Sequence, residues 1–60
     1  MWIITAMSGV INTDQVTRFT ENNYGTHAYC NGSSYTLSSD HVLDTIVGAL
    51  RNHDDFVEVK

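Results

Sequence analysis

The sequence predicts an α+β fold, in which a small antiparallel sheet of four or five short strands carries one helix on one face. Three observations predict it: a hairpin sequence centred on Asn31-Gly32, apolar residues at helical spacing between positions 42 and 50, and several short strand-like runs. The chain has 60 residues, which predicts a single domain over residues 1–60. A domain of this length buries only about 60% of the surface that its unfolded chain exposes.

The hairpin, from Thr26 to Leu37, is the clearest structural signal in the chain. Asn31-Gly32 suits the two central positions of a type I′ turn, because both positions need a positive φ. A two-residue loop also fixes the pairing register of its strands. We therefore expect three facing pairs: Cys30 with Ser33, Ala28 with Tyr35, and Thr26 with Leu37. The core face of this hairpin is predicted to carry Ala28, Cys30, Tyr35 and Leu37.

Other runs rich in β-branched and aromatic residues predict strands over Trp2–Ala6, Val16–Glu21 and Phe56–Lys60, and Val10-Ile11 begins or completes a short strand. Asn12-Thr13-Asp14 predicts a tight turn, because these side chains readily bond their own backbone.

The helix is predicted to start at Ser38-Ser39-Asp40, where a side-chain oxygen can accept a bond from a free amide of the first turn. Gly48 lies inside the helix, where we expect it to permit close packing against the sheet. The sheet face beneath the helix is predicted to include Ala28, Tyr35 and Leu37. The apolar stripe of the helix comprises Val42, Leu43, Ile46, Val47 and Leu50.

The charge balance restricts the classes of partner. Three Lys and Arg residues against seven Asp and Glu give a formal net charge of -4. Without a basic stripe, direct binding to nucleic acid is not expected. No apolar run is long enough to span a membrane. A single cysteine, Cys30, excludes an intramolecular disulfide, and the start of the chain lacks the features of a signal peptide, so we expect a cytoplasmic setting.

No residue pattern in the chain indicates catalysis. His27 and Cys30 form His-x-x-Cys, but their odd spacing on a strand places them on opposite faces. Neither the histidines nor the glycines form a set that would hold a metal, a cofactor or a phosphate. We therefore expect a protein that is not an enzyme and has no catalytic, cofactor-binding or metal-binding residues.

Exposed aromatic and acidic side chains are the best candidates for binding a partner. One helix cannot cover both faces of the sheet, so some aromatic residues must remain exposed, and exposed aromatics often anchor interfaces. The uncovered apolar surface also predicts a homodimer. The predicted partner-binding residues are Trp2, Tyr24, Tyr29, Asp54, Asp55 and Phe56.

From Gly9 to Ile46 the chain resembles the small bacterial flagellar family called FlbD or SwrD. The matching features are Ile11-Asn12-x-Asp14-x-Val16, Asn31-Gly32-x-x-Tyr35, and a serine-acidic segment before Val42 and Ile46. The pattern is also similar to the C-terminal half of LytTR DNA-binding domains. Residues 31 to 40 contain none of the basic side chains that contact with DNA requires, so this second similarity implies no DNA binding.

Three functions follow as alternatives. The chain is similar in size and charge to phage-encoded inhibitors of bacterial defence systems, including anti-CRISPR proteins. This predicts docking on a larger bacterial protein, with carboxylates imitating phosphates towards a basic nucleic-acid-binding surface. The flagellar resemblance implies instead a motility accessory or regulatory module. The third alternative is an oligomeric protein that binds a small ligand such as a nucleotide. The candidate carboxylates are Asp14, Glu21, Asp40, Asp44, Asp54, Asp55 and Glu58.

Overall fold

A computed structural model describes all residues, 1–60, and contains two small sheets and one α-helix. The elements in chain order are β1 Trp2–Thr5, β2 Gly9–Asn12, β3 Arg18–Asn22, β4 Gly25–Cys30, β5 Ser33–Ser38, α1 Leu43–Arg51 and β6 Phe56–Val59. Sheet 1 has the strand order β2-β1-β6, and sheet 2 has the order β3-β4-β5. The α+β class is confirmed. The prediction of one antiparallel sheet with four or five strands is wrong, because six strands divide between two sheets and β6 pairs with β1 in parallel.

The core lies where the two sheets and the helix meet. It contains Ile3, Ile11 and Val59 from sheet 1, Ile46 from α1, and three residues of sheet 2, Ala28, Cys30 and Leu37. Ile3, Leu37 and Ile46 are fully buried, and burial of each side chain stabilises the fold by about 1.5–3 kcal/mol. Only 12 of the 60 residues are buried, so each contact within this core carries much of the stability.

The hairpin turn matches the prediction at its tip. Asn31 has a φ of 52° and Gly32 a φ of 84°, which are the positive values that a type I′ turn requires. The predicted pairs Cys30–Ser33 and Ala28–Tyr35 are also present.

The hairpin departs from the prediction at its open end. An irregularity between Thr26 and His27 shifts the register, so that Thr26 faces Ser38 and not Leu37. Leu37 and Ser38 are consequently both buried, which a regular strand with alternating faces does not allow. Tyr35 was predicted to belong to the core but is 43% exposed.

The helix begins later than predicted, at Leu43, and no side chain of its own N-cap residue, Val42, bonds the first turn. The hydroxyl of Ser38 accepts a bond from the Asp40 amide and donates to the carbonyl of Lys60. Ser38 therefore ties the end of β5 to the end of the chain and does not cap the helix. The amide of Val42 instead donates to the hydroxyl of Thr26, at 2.9 Å.

The buried face of the helix also differs from the predicted stripe. Ile46 and Ala49 are buried, whereas Leu50 is exposed. The helix contacts β3 and β6. Gly48 does not mediate a close approach, because a Cβ at this position would meet no atom within 4 Å.

Two of the other strand predictions require correction. Val16 lies before β3, at the end of a 3₁₀ turn over Thr13–Gln15, so it does not share a strand with Phe19. Both side chains are nevertheless half-buried and pack against the core. Strand β1 ends at Thr5, because the Thr5 hydroxyl accepts bonds from the Met7 and Ser8 amides and closes a turn. No helix of the protein is both long enough and apolar enough to cross a membrane.

Two glycines provide a matched test of this packing. A Cβ at Gly25 would lie 2.0 Å from the backbone oxygen of Ser38, and Gly25 has a φ of +118°. We expect Gly25→Ala to reduce the free energy of unfolding by about 2 kcal/mol or more, which lowers Tm by roughly 8 °C or more. Gly48→Ala should raise stability by up to about 1 kcal/mol, because alanine favours a helix interior. Thermal unfolding followed by circular dichroism measures both, and equal shifts would contradict the close Gly25–Ser38 approach.

Candidate functional site

The outer face of sheet 1 carries exposed apolar side chains. The register pairs Trp2 with Phe56 on neighbouring strands, and Ile4 with Val10 across β1 and β2. Trp2 is 50% exposed, and both Val10 and Phe56 are 61% exposed. Trp2, Ile4, Val10 and Phe56 together form the outer face of sheet 1. Their neighbours Ile3 and Thr5 point the other way and are buried, as the alternation of a strand requires.

Two of the predicted carboxylates lie at one end of this face. The chain enters β6 through Asp54 and Asp55, and the amide of Trp2 donates to the backbone carbonyl of Asp55 at 2.9 Å. Four of the six predicted partner-binding residues are thus brought together in one region. They are Trp2, Asp54, Asp55 and Phe56.

The other two predicted residues lie on sheet 2. Tyr24 is exposed on the turn between β3 and β4. Tyr29 is half-buried on β4, and the guanidinium carbon of Arg18 lies 4.5 Å from the centre of its ring. This cation–π contact uses one face of the ring within the protein itself.

An open pocket of about 500 Å³ adjoins the outer face and shares Trp2 with it. The sequence did not indicate this pocket, because its walls come from distant parts of the chain. Its polar lining includes Thr13, Asp14 and His53 in addition to Asp54 and Asp55, and its apolar lining includes Leu50. Asp14, which lines the pocket, was predicted as one of the seven candidate carboxylates but not as one of the six partner-binding residues.

One peptide group holds the two loops that form the pocket. The carbonyl of Met1 accepts bonds from the backbone amide and the hydroxyl of Thr13, both at 2.9 Å. The N–H of the same peptide group, on Trp2, donates to Asp55. The loop after β2 and the loop before β6 are therefore fixed on either side of Trp2. Within the first loop, the Asn12 side chain accepts a bond from the Asp14 amide at 3.0 Å.

The second loop begins with a Schellman motif that ends the helix. The Asp54 amide donates to Ala49 at 3.0 Å, and the His53 amide donates to Leu50 at 3.2 Å. His53 occupies the position where glycine is usual, with a φ of 57°. A residue with a side chain in this left-handed conformation costs about 1 kcal/mol or more. The motif turns the chain so that Asp54 and Asp55 follow directly from the carboxyl end of α1.

The pocket has a negative character. It is lined by three carboxylates and by no lysine or arginine, and the one cationic group at its lining residues is the α-amino group of Met1. The carboxyl end of α1, which is the negative end of the helix dipole, lies at the pocket through Leu50 and His53. The protein has no group of three or more His, Cys, Asp and Glu side chains arranged to hold a metal ion. The arrangement therefore suits an extended organic cation or a basic protein surface.

His27 and Cys30 occupy different surroundings. The ring of His27 lies between Thr36 Oγ1, at 3.1 Å from Nδ1, and Asn22 Oδ1, at 3.0 Å from Nε2. Cys30 is buried in the core as a free thiol. His41 is exposed, and its Nε2 lies 2.9 Å from the carbonyl oxygen of Asn22. These contacts join strands and loops of the protein to one another.

No family model matches the chain, and no significant match is found among the curated proteins or the solved structures. The resemblance to the flagellar FlbD or SwrD family therefore stays a prediction.

The left-handed His53 can be tested directly. We expect His53→Gly to raise the free energy of unfolding by up to about 1 kcal/mol, because glycine relieves the backbone strain at this position. Asn52→Gly is the control, since Asn52 already has a right-handed φ of -83° and gains no relief. That control should lower stability by about 0.5–1 kcal/mol. Urea unfolding of both variants measures the difference, and a destabilised His53→Gly would argue against the strain.

Proposed function

We propose that this chain is a small, non-enzymatic binding protein that docks on a larger bacterial protein and blocks a basic surface of it. The observation that carries the proposal is the position of Trp2 and Phe56, which are paired and exposed beside Asp54 and Asp55. Aromatic residues with a charged margin are typical of interface anchors. In this proposal the protein acts in the cytoplasm, in the manner of phage-encoded inhibitors of bacterial defence systems, including anti-CRISPR proteins.

The charge of the chain favours a basic partner. The formal net charge is -4, and Asp54, Asp55 and Glu58 all lie on or next to β6, at one side of the outer face. Long-range attraction between opposite charges accelerates encounter and orients the two proteins. A groove that binds nucleic acid is rich in lysine and arginine, so it is the kind of partner surface that we propose. The carboxylates of the chain would occupy positions that phosphates otherwise take.

The pocket gives no support to nucleotide binding. Asp14, Asp54 and Asp55 line it, and carboxylates repel the phosphates of a nucleotide. No observation favours the flagellar alternative over docking on a basic protein.

Charge reversal tests the electrostatic part of the proposal. The double variant Asp54→Lys, Asp55→Lys should slow association with the partner about tenfold or more at low salt, and the effect should shrink as salt rises. The partner is first captured from a bacterial lysate with the immobilised wild-type protein and identified by mass spectrometry. Association rates are then measured with the purified pair.

A second double variant, Glu21→Lys with Asp40→Lys, is the matched control. It changes the net charge equally at exposed positions that do not line the pocket. If both double variants slow association to the same extent, only the overall charge matters. That result would contradict docking through the Asp54-Asp55 end of the outer face.

We also propose that the free protein forms a homodimer through the outer face of sheet 1, and that the partner competes with the second copy for this face. Phe56→Ser should shift sedimentation equilibrium towards the monomer, because it removes a large apolar side chain that is 61% exposed. Tyr24→Ser, which removes an exposed ring from sheet 2, should leave the dimer unchanged. A monomer mass for the wild type at every concentration would contradict the homodimer.

A further inference from the structure

The open pocket beside Trp2, called the groove from here on, has a shape and a lining that the docking proposal does not use. Its volume of about 500 Å³ is within the range of sites that hold small organic groups. It is continuous with the outer face of sheet 1, because Trp2 belongs to both. A partner that covers the outer face would therefore place its own side chains at the mouth of the groove.

We propose that this groove receives an arginine side chain of the partner. The inference rests on the proposed function and names the residue by which a basic partner is recognised. An arginine side chain has two features that complement the groove: an apolar stem and a planar, permanent cation. The first feature matches the walls of the groove, and the second matches its charge.

Most of the lining is polar, but two of its residues offer apolar surface. Trp2 is 50% exposed, and Leu50 of α1 is 37% exposed. The methylene stem of arginine can lie along Leu50, while the flat guanidinium stacks on the indole face. Tryptophan is the best aromatic partner for such a cation. A lysine ammonium is compact and strongly hydrated, so it would gain less from the same wall.

The three carboxylates around the groove outnumber its one lining cation, the α-amino group of Met1, so the balance of charge favours a guanidinium. Asp14 lies on one loop and Asp54 with Asp55 on the other, so carboxylates flank the position of Trp2 from two directions. None of the side-chain hydrogen bonds in the protein uses a carboxylate oxygen of these three residues. Their oxygens are available to the five N–H groups of an arginine, which bond carboxylates in a forked geometry.

A second copy of the chain fits the groove less well. Each copy has only three lysine and arginine residues, and Arg18 is stacked on Tyr29. Two copies of charge -4 also repel each other at long range. The groove is therefore assigned to a basic partner, and occupation by a second copy is an outcome that the test can detect.

The test is a titration of the ¹⁵N-labelled protein with Nα-acetyl-L-arginine amide, followed by NMR. The controls are the citrulline and lysine analogues of the same compound. Citrulline keeps the shape of arginine but is neutral. We expect shift changes confined to the Trp2 indole N–H and to the backbone around Asp14 and residues 53–55. The arginine compound should bind at least tenfold more tightly than the citrulline compound, and several-fold more tightly than the lysine compound.

Variants distinguish binding in the groove from binding to the acidic surface as a whole. Asp14→Asn with Asp55→Asn should weaken arginine-amide binding about tenfold, whereas Glu21→Gln with Asp40→Asn should not change it. Neutral isosteres at these exposed positions preserve the fold, which the unperturbed part of the spectrum verifies. Equal binding of arginine and citrulline, or shift changes spread over Glu21, Asp40 and Asp44, would overturn the inference. Concentration-dependent shift changes at Asp14 and His53 without added compound would place a second copy in the groove and would also overturn it. Concentration-dependent changes confined to Val10 and Phe56 would report only the homodimer proposed above.

The two proposals fail in distinguishable ways. If arginine amide binds the groove but charge reversal at Asp54 and Asp55 leaves partner association unchanged, the groove's affinity for arginine is confirmed and the docking proposal is wrong. If charge reversal slows association but no arginine compound binds, the docking proposal stands and the arginine assignment is wrong.

Discussion

The close approach between Gly25 and Ser38 is the constraint on which the rest of the structure depends. The backbone of β4 comes so near to Ser38 that a single added Cβ would lie 2.0 Å from its carbonyl oxygen. This approach accompanies the shifted register at Thr26, which buries Ser38 and Thr26 completely. The two hydroxyls then connect sheet 2 to the other elements. Thr26 bonds the carbonyl of Asp40 and the amide of Val42, and Ser38 bonds the carbonyl of Lys60. A sheet, the start of the helix and the end of β6 are thereby joined at one buried point.

The candidate site follows from this arrangement. Once the start of α1 is fixed at Thr26, its length of nine residues determines where the Schellman motif turns the chain. The turn delivers Asp54 and Asp55 to the amide of Trp2, where β6 pairs with β1 in parallel. On the other side of Trp2, Thr13 bonds the carbonyl of Met1 and positions Asp14. The groove and the aromatic pair are therefore held by backbone bonds, which favours a preformed binding surface over one that must order when a partner arrives.

The sequence predicted best what depends on local geometry. The type I′ turn at Asn31-Gly32 requires only two residues that tolerate positive φ, and the existence of the helix requires only apolar spacing. The split into two sheets could not be predicted in this way, because the parallel pairing of β1 with β6 joins residues more than 50 positions apart. The late start of the helix has a similar cause. Ser38 has the chemistry of a capping residue, but the shifted register commits its hydroxyl to the carbonyl of Lys60.

The same distinction applies to the candidate site. Trp2 and Phe56 were predicted because one helix cannot cover both faces of the sheet, and Asp54 with Asp55 because they belong to the acidic surface. The position of Asp14 at the groove could not be predicted, since it depends on the bonds between Thr13 and Met1. Tyr29 shows the reverse case. Its type and position predict an interface residue, but the structure places Arg18 over its ring.

The outer face of sheet 1 is not covered by any element of residues 1–60. The 12 buried positions form one core between the two sheets, on the other face of sheet 1. Trp2, Val10 and Phe56 therefore stay in contact with water, at a free-energy cost proportional to their exposed apolar area. Under the docking proposal, a partner that covers them would remove this area from water, and its binding to the folded form would stabilise the fold by mass action. In that proposal, the surface that contacts the partner is the surface that lacks internal cover.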